Sequence, residues 1–252
     1  MDRLELAKKI VEKAKNYLRA IDEKDLKLDY KEHDFQNIVT NFDIAVEKMI
    51  VNGIKEVFPE DSFLTEEKTV ESHESESMWI LDPIDGTSNF ASMFKDYAIS
   101  LAYYSNNKPV FGIVCDANRD ETFIGIAGQG AYFNGIKLPM IEDRELKYST
   151  LDITYRSIVK FEKRFNINFK KLVNEVKTFR SIGSAALGIC QIAQGHKQLY
   201  ASNQLSLWDY AAAAIVLKET GGYLELIPNE NGSNCVISGV SERFVNNFKA
   251  YR

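Results

Sequence analysis

Trp79-Ile-Leu-Asp82-Pro-Ile-Asp85-Gly86-Thr87-Ser-Asn89-Phe90 constrains this chain more than any other stretch. An apolar run fit for a core strand drives straight into two aspartates three residues apart. Carboxylates at the buried end of a strand are costly unless something neutralises them. Hydrated magnesium suits that role, because it takes oxygen ligands and keeps positions open for water and phosphate. Pro83 stiffens the turn, and Gly86 permits a positive φ. Thr87 to Phe90 can then open a helix whose free N–H groups face an anion.

The surroundings of this run read as a mixed α/β chain. Leu4, Ala7, Ile10, Val11, Ala14, Leu18 and Ile21 recur at helical spacing, which predicts an amphipathic helix over about 3–21. Ile44, Met49, Ile50, Ile54, Val57 and Phe58 predict a second, beginning near Asp43 and stopping at Pro59. The period then changes. Met78–Leu81, Tyr97–Tyr104, Val110–Cys115 and Thr122–Ile126 read as strands, several in antiparallel hairpins, and Gly128–Gly135 as a turn with a short strand. Polar Glu142–Ser149 marks a boundary between an N-terminal α+β lobe (1–145) and a C-terminal α/β lobe (146–252). In the second lobe strands near 151–155, 197–201 and 222–227 alternate with helices near 161–175, 184–193, 208–220 and 241–249, the pattern of a layered sheet. Glu71–Ser77 is polar and lies between acidic motifs, so it reads as a surface loop that could belong to a lid.

Composition excludes several functions. The net charge of −5 argues against nucleic acid as the main partner, because phosphate-backbone binding needs a basic face. The N-terminus is dense in charge and lacks the apolar core of a secretory signal, and no apolar run is long enough to span a bilayer. Cys115, Cys190 and Cys235 are odd in number and widely spaced, as expected for free thiols in a reducing cytoplasm. His33, His73 and His196 have no metal-ligand spacing.

Three further acidic sites accompany the strand. Glu66-Glu67 follows the short apolar run Phe63-Leu64. Asp43 ends Val39-Thr40-Asn-Phe-Asp43 at a helix start, and Trp208-Asp209 opens the apolar helix Tyr210–Leu217, which runs on to Glu219-Thr-Gly221-Gly222. Singly, each has a structural explanation: solvated surface, a charge against the helix dipole, an N-cap. Together, in this order, they resemble the inositol monophosphatase family. Gly130-Ala-Tyr-Phe-Asn-Gly135 and Gly183-Ser-Ala-Ala186 extend the resemblance over nearly the whole chain.

That resemblance implies an alternating α/β/α/β layered sandwich, a homodimer, and magnesium-dependent, lithium-sensitive hydrolysis of a small phosphate monoester. Carried over by position, one ion would be held by Glu66, Asp82 and the carbonyl of Ile84, and a second by Asp82, Asp85 and Asp209. A third, weaker one would sit near Glu66. Asp43 and Thr87 would orient and deprotonate the attacking water. Asp85, Gly86, Thr87, Ser88, Gly183, Ser184, Ala185 and Asp209 would meet the substrate. Charge balance agrees, since four crowded carboxylates need at least two divalent cations.

The chain departs from the family pattern at Thr65, where glycine is usual, at Asn37, where aspartate is usual, and at Lys31 or Glu32, which align with a frequent lysine. Inositol-selective members carry a glutamate at the position of Ser202, and a serine there predicts relaxed selectivity unless Asn203 or Gln204 replaces it. Other substrates for the same site are fructose 1,6-bisphosphate, NADP or an adenosine bisphosphate. In a different class, a regulatory binding protein on this fold would carry the same motifs.

Overall fold

The computed structural model describes residues 2–30 and 38–252. His33, Lys31, Glu32 and Asn37 therefore lie outside the described residues. Helix α1 (Arg3–Arg19) is followed by a small hairpin of β1 (Leu28–Tyr30) and β2 (Ile38–Thr40), and then by α2 (Asn41–Lys55). Next come β3 (Ser62–Thr65), β4 (Ser77–Asp85), α3 (Thr87–Met93), β5 (Ala98–Ser105), β6 (Lys108–Asp116), β7 (Glu121–Ile126), β8 (Gly130–Phe133) and β9 (Ile136–Lys137). These seven strands pair in chain order, antiparallel throughout except for β3 beside β4.

The second half supplies β10 (Thr150–Ile153), α4 (Tyr155–Phe165), α5 (Phe169–Glu175), β11 (Thr178–Arg180), α6 (Ala185–Ala193), β12 (Leu199–Leu205), α7 (Leu207–Glu219), β13 (Tyr223–Pro228), β14 (Asn234–Gly239) and α8 (Glu242–Lys249). Its five strands run β11-β10-β12-β14-β13, with β10 parallel to both neighbours and the rest antiparallel.

Alternation along the strands builds the layers. On β4, Trp79 and Leu81 pack with Leu6, Ala7, Val46 and Ile50 of α1 and α2, while Ile80 turns to the other face and joins Ala212 and Val216 of α7. That second core also takes in Cys190, Tyr200 and Ile237, so α6 and α7 are sandwiched between the two sheets. The result is the α/β/α/β sandwich. Full burial of each large side chain in it contributes about 1.5–3 kcal/mol.

Helix α7 lies unusually close to the large sheet. A Cβ on Gly112 would stand 2.4 Å from the Ala212 carbonyl oxygen, and one on Gly125 would stand 2.6 Å from the Val216 nitrogen. Small residues on both sides let backbone meet backbone, and this fixes how deep the N-terminus of α7 sits.

Three expectations change. The single helix over about 161–175 is two helices, because Asn166 takes a left-handed conformation (φ 55°) that closes α4. Strands β11 and β14 were not anticipated. The loop Glu71–Ser77 does not cover the acidic strand end. His73 and Ser75 hydrogen-bond the Glu60 carbonyl, and Ser62 donates to the His73 carbonyl, which seats the loop where β4 begins. β4 reaches the acidic cluster five to eight residues later, at Asp82 and Asp85, at about 3.3 Å per residue.

Candidate active site

The end of β4 opens on a cavity of about 230 Å³ lined by Glu66, Asp82, Ile84, Asp85, Gly86, Thr87, Thr154, Gly183, Ala185, Tyr200, Ser202, Leu205 and Asp209. Both halves of the chain build it. β4 pairs with β5 up to Asp82, the register slips across Pro83 and Ile84, and pairing resumes at Asp85. The slip leaves Asp82 and Asp85 on one cavity wall.

Gly86 follows at φ 96°, and a Cβ there would lie 3.1 Å from the Asp96 carbonyl oxygen. That turn starts α3, in which Asn89 and Phe90 donate back to the Gly86 carbonyl. The N–H groups of Thr87 and Ser88 precede the first intrahelical donor. Glu66 reaches the cavity from the end of β3, where its N–H bonds the Leu81 carbonyl at 3.2 Å. Asp209 arrives on the first turn of α7, which is tied to the sheet by the Ser100 hydroxyl donating to the Trp208 carbonyl at 3.1 Å.

The carboxylates differ in their partners. Asp85 is bound to the start of α6: the Ala185 N–H donates to Oδ1 at 3.1 Å, and the Ala186 N–H (2.8 Å) and the Ser184 hydroxyl donate to Oδ2. Burial lifts Asp85 to about 6 even though those three donors pull the other way, and Glu66 adds to the rise. Asp82 goes further. Burial first, then the charges of Glu66, Asp85 and Asp209, push it well above the usual carboxylate range. Tyr200, a buried phenol on the same wall, is driven far upward by burial and by Asp85, Asp152 and Asp209.

Behind the wall lies Asp43, fully buried. Its Oδ2 accepts from the N–H (2.8 Å) and hydroxyl (2.5 Å) of Thr40. Its Oδ1 lies 3.2 Å from the Thr87 hydroxyl, which also lies 3.1 Å from the Ile84 carbonyl.

The cavity therefore brings together Glu66, Asp82, Ile84, Asp85, Gly86, Thr87, Gly183, Ala185 and Asp209, with Asp43 one hydrogen bond away. Two expected substrate residues are not on its wall. Ser88 is exposed, and Ser184 is fully buried as the N-cap of α6, with its hydroxyl spent on Asp85 and accepting from the Leu187 N–H. Thr154, Tyr200 and Leu205 were not anticipated. They are ordinary residue types that parallel pairing of β10 and β12 carries to the cavity.

The donor set fits a hard divalent cation: it is all oxygen, acidic, and strained by its own charge. Among the described residues no group of three or more acidic, histidine or cysteine side chains is drawn tightly enough to hold an ion as it stands. Asp85 and Asp209 instead turn oxygens toward neighbouring N–H groups.

The layered fold, the acidic cavity and the likeness to named inositol monophosphatases together make the molecule a phosphoric monoester hydrolase. The chain belongs to the inositol monophosphatase family, whose model matches residues 2–242. It is 32% identical over 228 residues to the inositol-1-monophosphatase of Bacillus subtilis, covering 90% of this chain and 86% of that one. It is 33% identical over 198 residues to a Thermotoga maritima protein named fructose-1,6-bisphosphatase/inositol-1-monophosphatase, covering 76% and 72%. The crystal structure of inositol monophosphatase-II from Staphylococcus aureus superposes with a TM-score of 0.83 at 27% identity, covering 98% of this chain and 94% of that one.

Proposed function

We propose that this protein hydrolyses small phosphate monoesters with relaxed specificity, using two or three magnesium ions held by Glu66, Asp82, Asp85, Asp209 and the Ile84 carbonyl. The observation that carries this is the gathering of four carboxylates on one small cavity, where burial first and then the charges of Glu66, Asp85 and Asp209 push Asp82 well above its ordinary range. Bound magnesium would neutralise that charge and polarise the phosphate oxygens.

The chain's own groups do the rest. The Thr87 hydroxyl, backed by Asp43, accepts a hydrogen bond from the attacking water and orients it, and Asp43 is the acceptor toward which the proton moves. The N–H groups at Gly86 and Thr87 hold phosphate oxygens. Gly183 and Ala185 shape the alcohol side, and Asp209 would serve the departing alkoxide through the ion and water it would hold, that water supplying the proton the alcohol needs.

Ser202 stands where a substrate-selecting glutamate would, and it reaches less far and carries no charge, so the alcohol is read loosely. The Thermotoga relative, whose name covers two substrates, is in keeping with this. A homodimer in a reducing cytoplasm completes the reading. It is supported by the family and by three buried free cysteines.

The test is hydrolysis of inositol 1-phosphate, glycerol 2-phosphate, fructose 1,6-bisphosphate and NADP at one magnesium concentration, with and without chelator. Activity is expected on several of these, and chelation abolishes it reversibly. Full activity in excess chelator would sink the ion reading. A hundredfold or greater preference in kcat/KM for inositol 1-phosphate, roughly 2.7 kcal/mol, would defeat the relaxed specificity.

A further inference from the structure

Helix α2 carries a second acidic side chain one turn beyond Asp43. Glu47 is fully buried, and its carboxylate is the hub of the loop that presents Glu66. The Thr65 hydroxyl donates to its Oε1 at 2.9 Å and the Thr69 N–H donates to the same oxygen at 2.7 Å. The Glu67 N–H donates to Oε2 at 2.8 Å. These donors sit on both sides of Glu66. Lys68, between the two N–H groups, is left-handed at φ 53°, which turns both amides inward onto one anion. Backbone N–H groups converging through such a turn form an anion nest. Here the anion is a side chain of the same molecule, supplied by the helix that also supplies Asp43.

A buried carboxylate needs such compensation, but an apolar residue could fill the space without it. What the carboxylate adds is a fixed path for residues 65–69, and Glu66 is the one side chain of that path on the cavity wall. We propose that Glu47 is a positioning residue of the ion site: through the Thr65–Thr69 loop it holds Glu66 where a divalent cation is bound. The inference rests on Glu66 being an ion-holding residue. Glu47 touches neither ion nor substrate.

The test is calorimetric titration of metal-free protein with magnesium, alongside its melting temperature in chelator. Glu47→Gln keeps the shape but turns one acceptor into a donor facing an N–H. It is expected to weaken ion binding about 10- to 100-fold, the usual effect of removing a partner behind a ligand. At saturating magnesium its kcat stays within about threefold of the parent, because the ligands themselves are intact. In a Glu66→Gln background the same change adds less than about threefold, since both act on one ligand.

Wild-type ion affinity in Glu47→Gln, with Glu66→Gln impaired, overturns the proposal. So does an effect of undiminished size in the Glu66→Gln background. Wild-type affinity in Glu66→Gln overturns the reading of Glu66 itself, and this inference with it. Should Glu47→Gln fail to fold, Thr65→Val removes one donor and leaves the carboxylate in place. It is expected to weaken binding about three- to tenfold, toward the low end of the range for such partners, and unchanged affinity there also overturns the proposal.

Discussion

The starts of α2 and α7 are built alike and used differently. Each has a hydroxyl residue at the N-cap, Thr40 or Ser206, and an aspartate three residues on, Asp43 or Asp209. In each, one aspartate oxygen accepts the N-cap N–H, at 2.8 Å for Asp43 and 2.7 Å for Asp209. The local pattern thus satisfies a helix terminus twice with one device. Packing separates the two. Asp43 is sealed beneath the sheet, with its other oxygen against the Thr87 hydroxyl. Asp209 is half-buried on the cavity wall because α7 rides over Gly112 and Gly125. A capping aspartate becomes a cavity carboxylate or a buried support according to where its helix is docked.

The largest effect that tests this difference comes from Asp209→Asn. The amide keeps the shape but removes a charge from the cavity, so turnover should fall by about three orders of magnitude or more, and ion affinity should fall with it. Steady-state kinetics and calorimetry on the same preparation read both. Retained ion affinity with lost turnover would make Asp209 resemble Asp43 and erase the distinction.

A smaller loss, about 100- to 1000-fold in kcat, is expected for Asp43→Asn and for Thr87→Ala, the range for losing a positioned proton acceptor. Ion affinity should stay within about threefold, because Asp43 meets the cavity through Thr87. If Asp43→Asn loses ions as badly as Asp82→Asn, the two helix starts are equivalent after all.

How much of this could be read from the sequence follows the same division. The acidic strand end, α1, α2 and the hairpins from Met78 to Ile126 were legible, because side-chain period and chemistry are local. The break between α4 and α5 was not: Phe161, Phe165, Phe169 and Leu172 keep a helical rhythm across Asn166, and one left-handed residue ends the helix. β14 was hidden as a short apolar run behind Asn231-Gly-Ser233. The service of Ser184 to Asp85 spans 99 residues, and that of Glu47 to Thr65–Thr69 crosses from helix to loop. Neither leaves a periodic trace. Asp43 and Asp209 were both legible as helix-start aspartates, but burial, which tells them apart, is a property of docking.

The smallest effect concerns the caps themselves, measured by chemical denaturation in chelator so that ions do not contribute. At α2 the Thr40 hydroxyl accepts from the Phe42 N–H at 3.1 Å and the Asp43 N–H at 3.3 Å, and donates to Asp43, all in the buried core. Thr40→Ala removes these bonds and leaves an acidic oxygen short of a donor, which should cost about 2 kcal/mol, the upper end for an N-cap. At α7 the bond to Asp209 comes from the Ser206 N–H, which alanine keeps, and the Asp209 N–H turns to the Ser206 carbonyl at 3.3 Å. Ser206→Ala should therefore cost about 0.5 kcal/mol, the lower end of the same range. Equal losses would mean that the hydroxyl bonds of Thr40 add nothing to its cap, and the contrast between the two helix starts would then have to rest on the chemistry of the cavity alone.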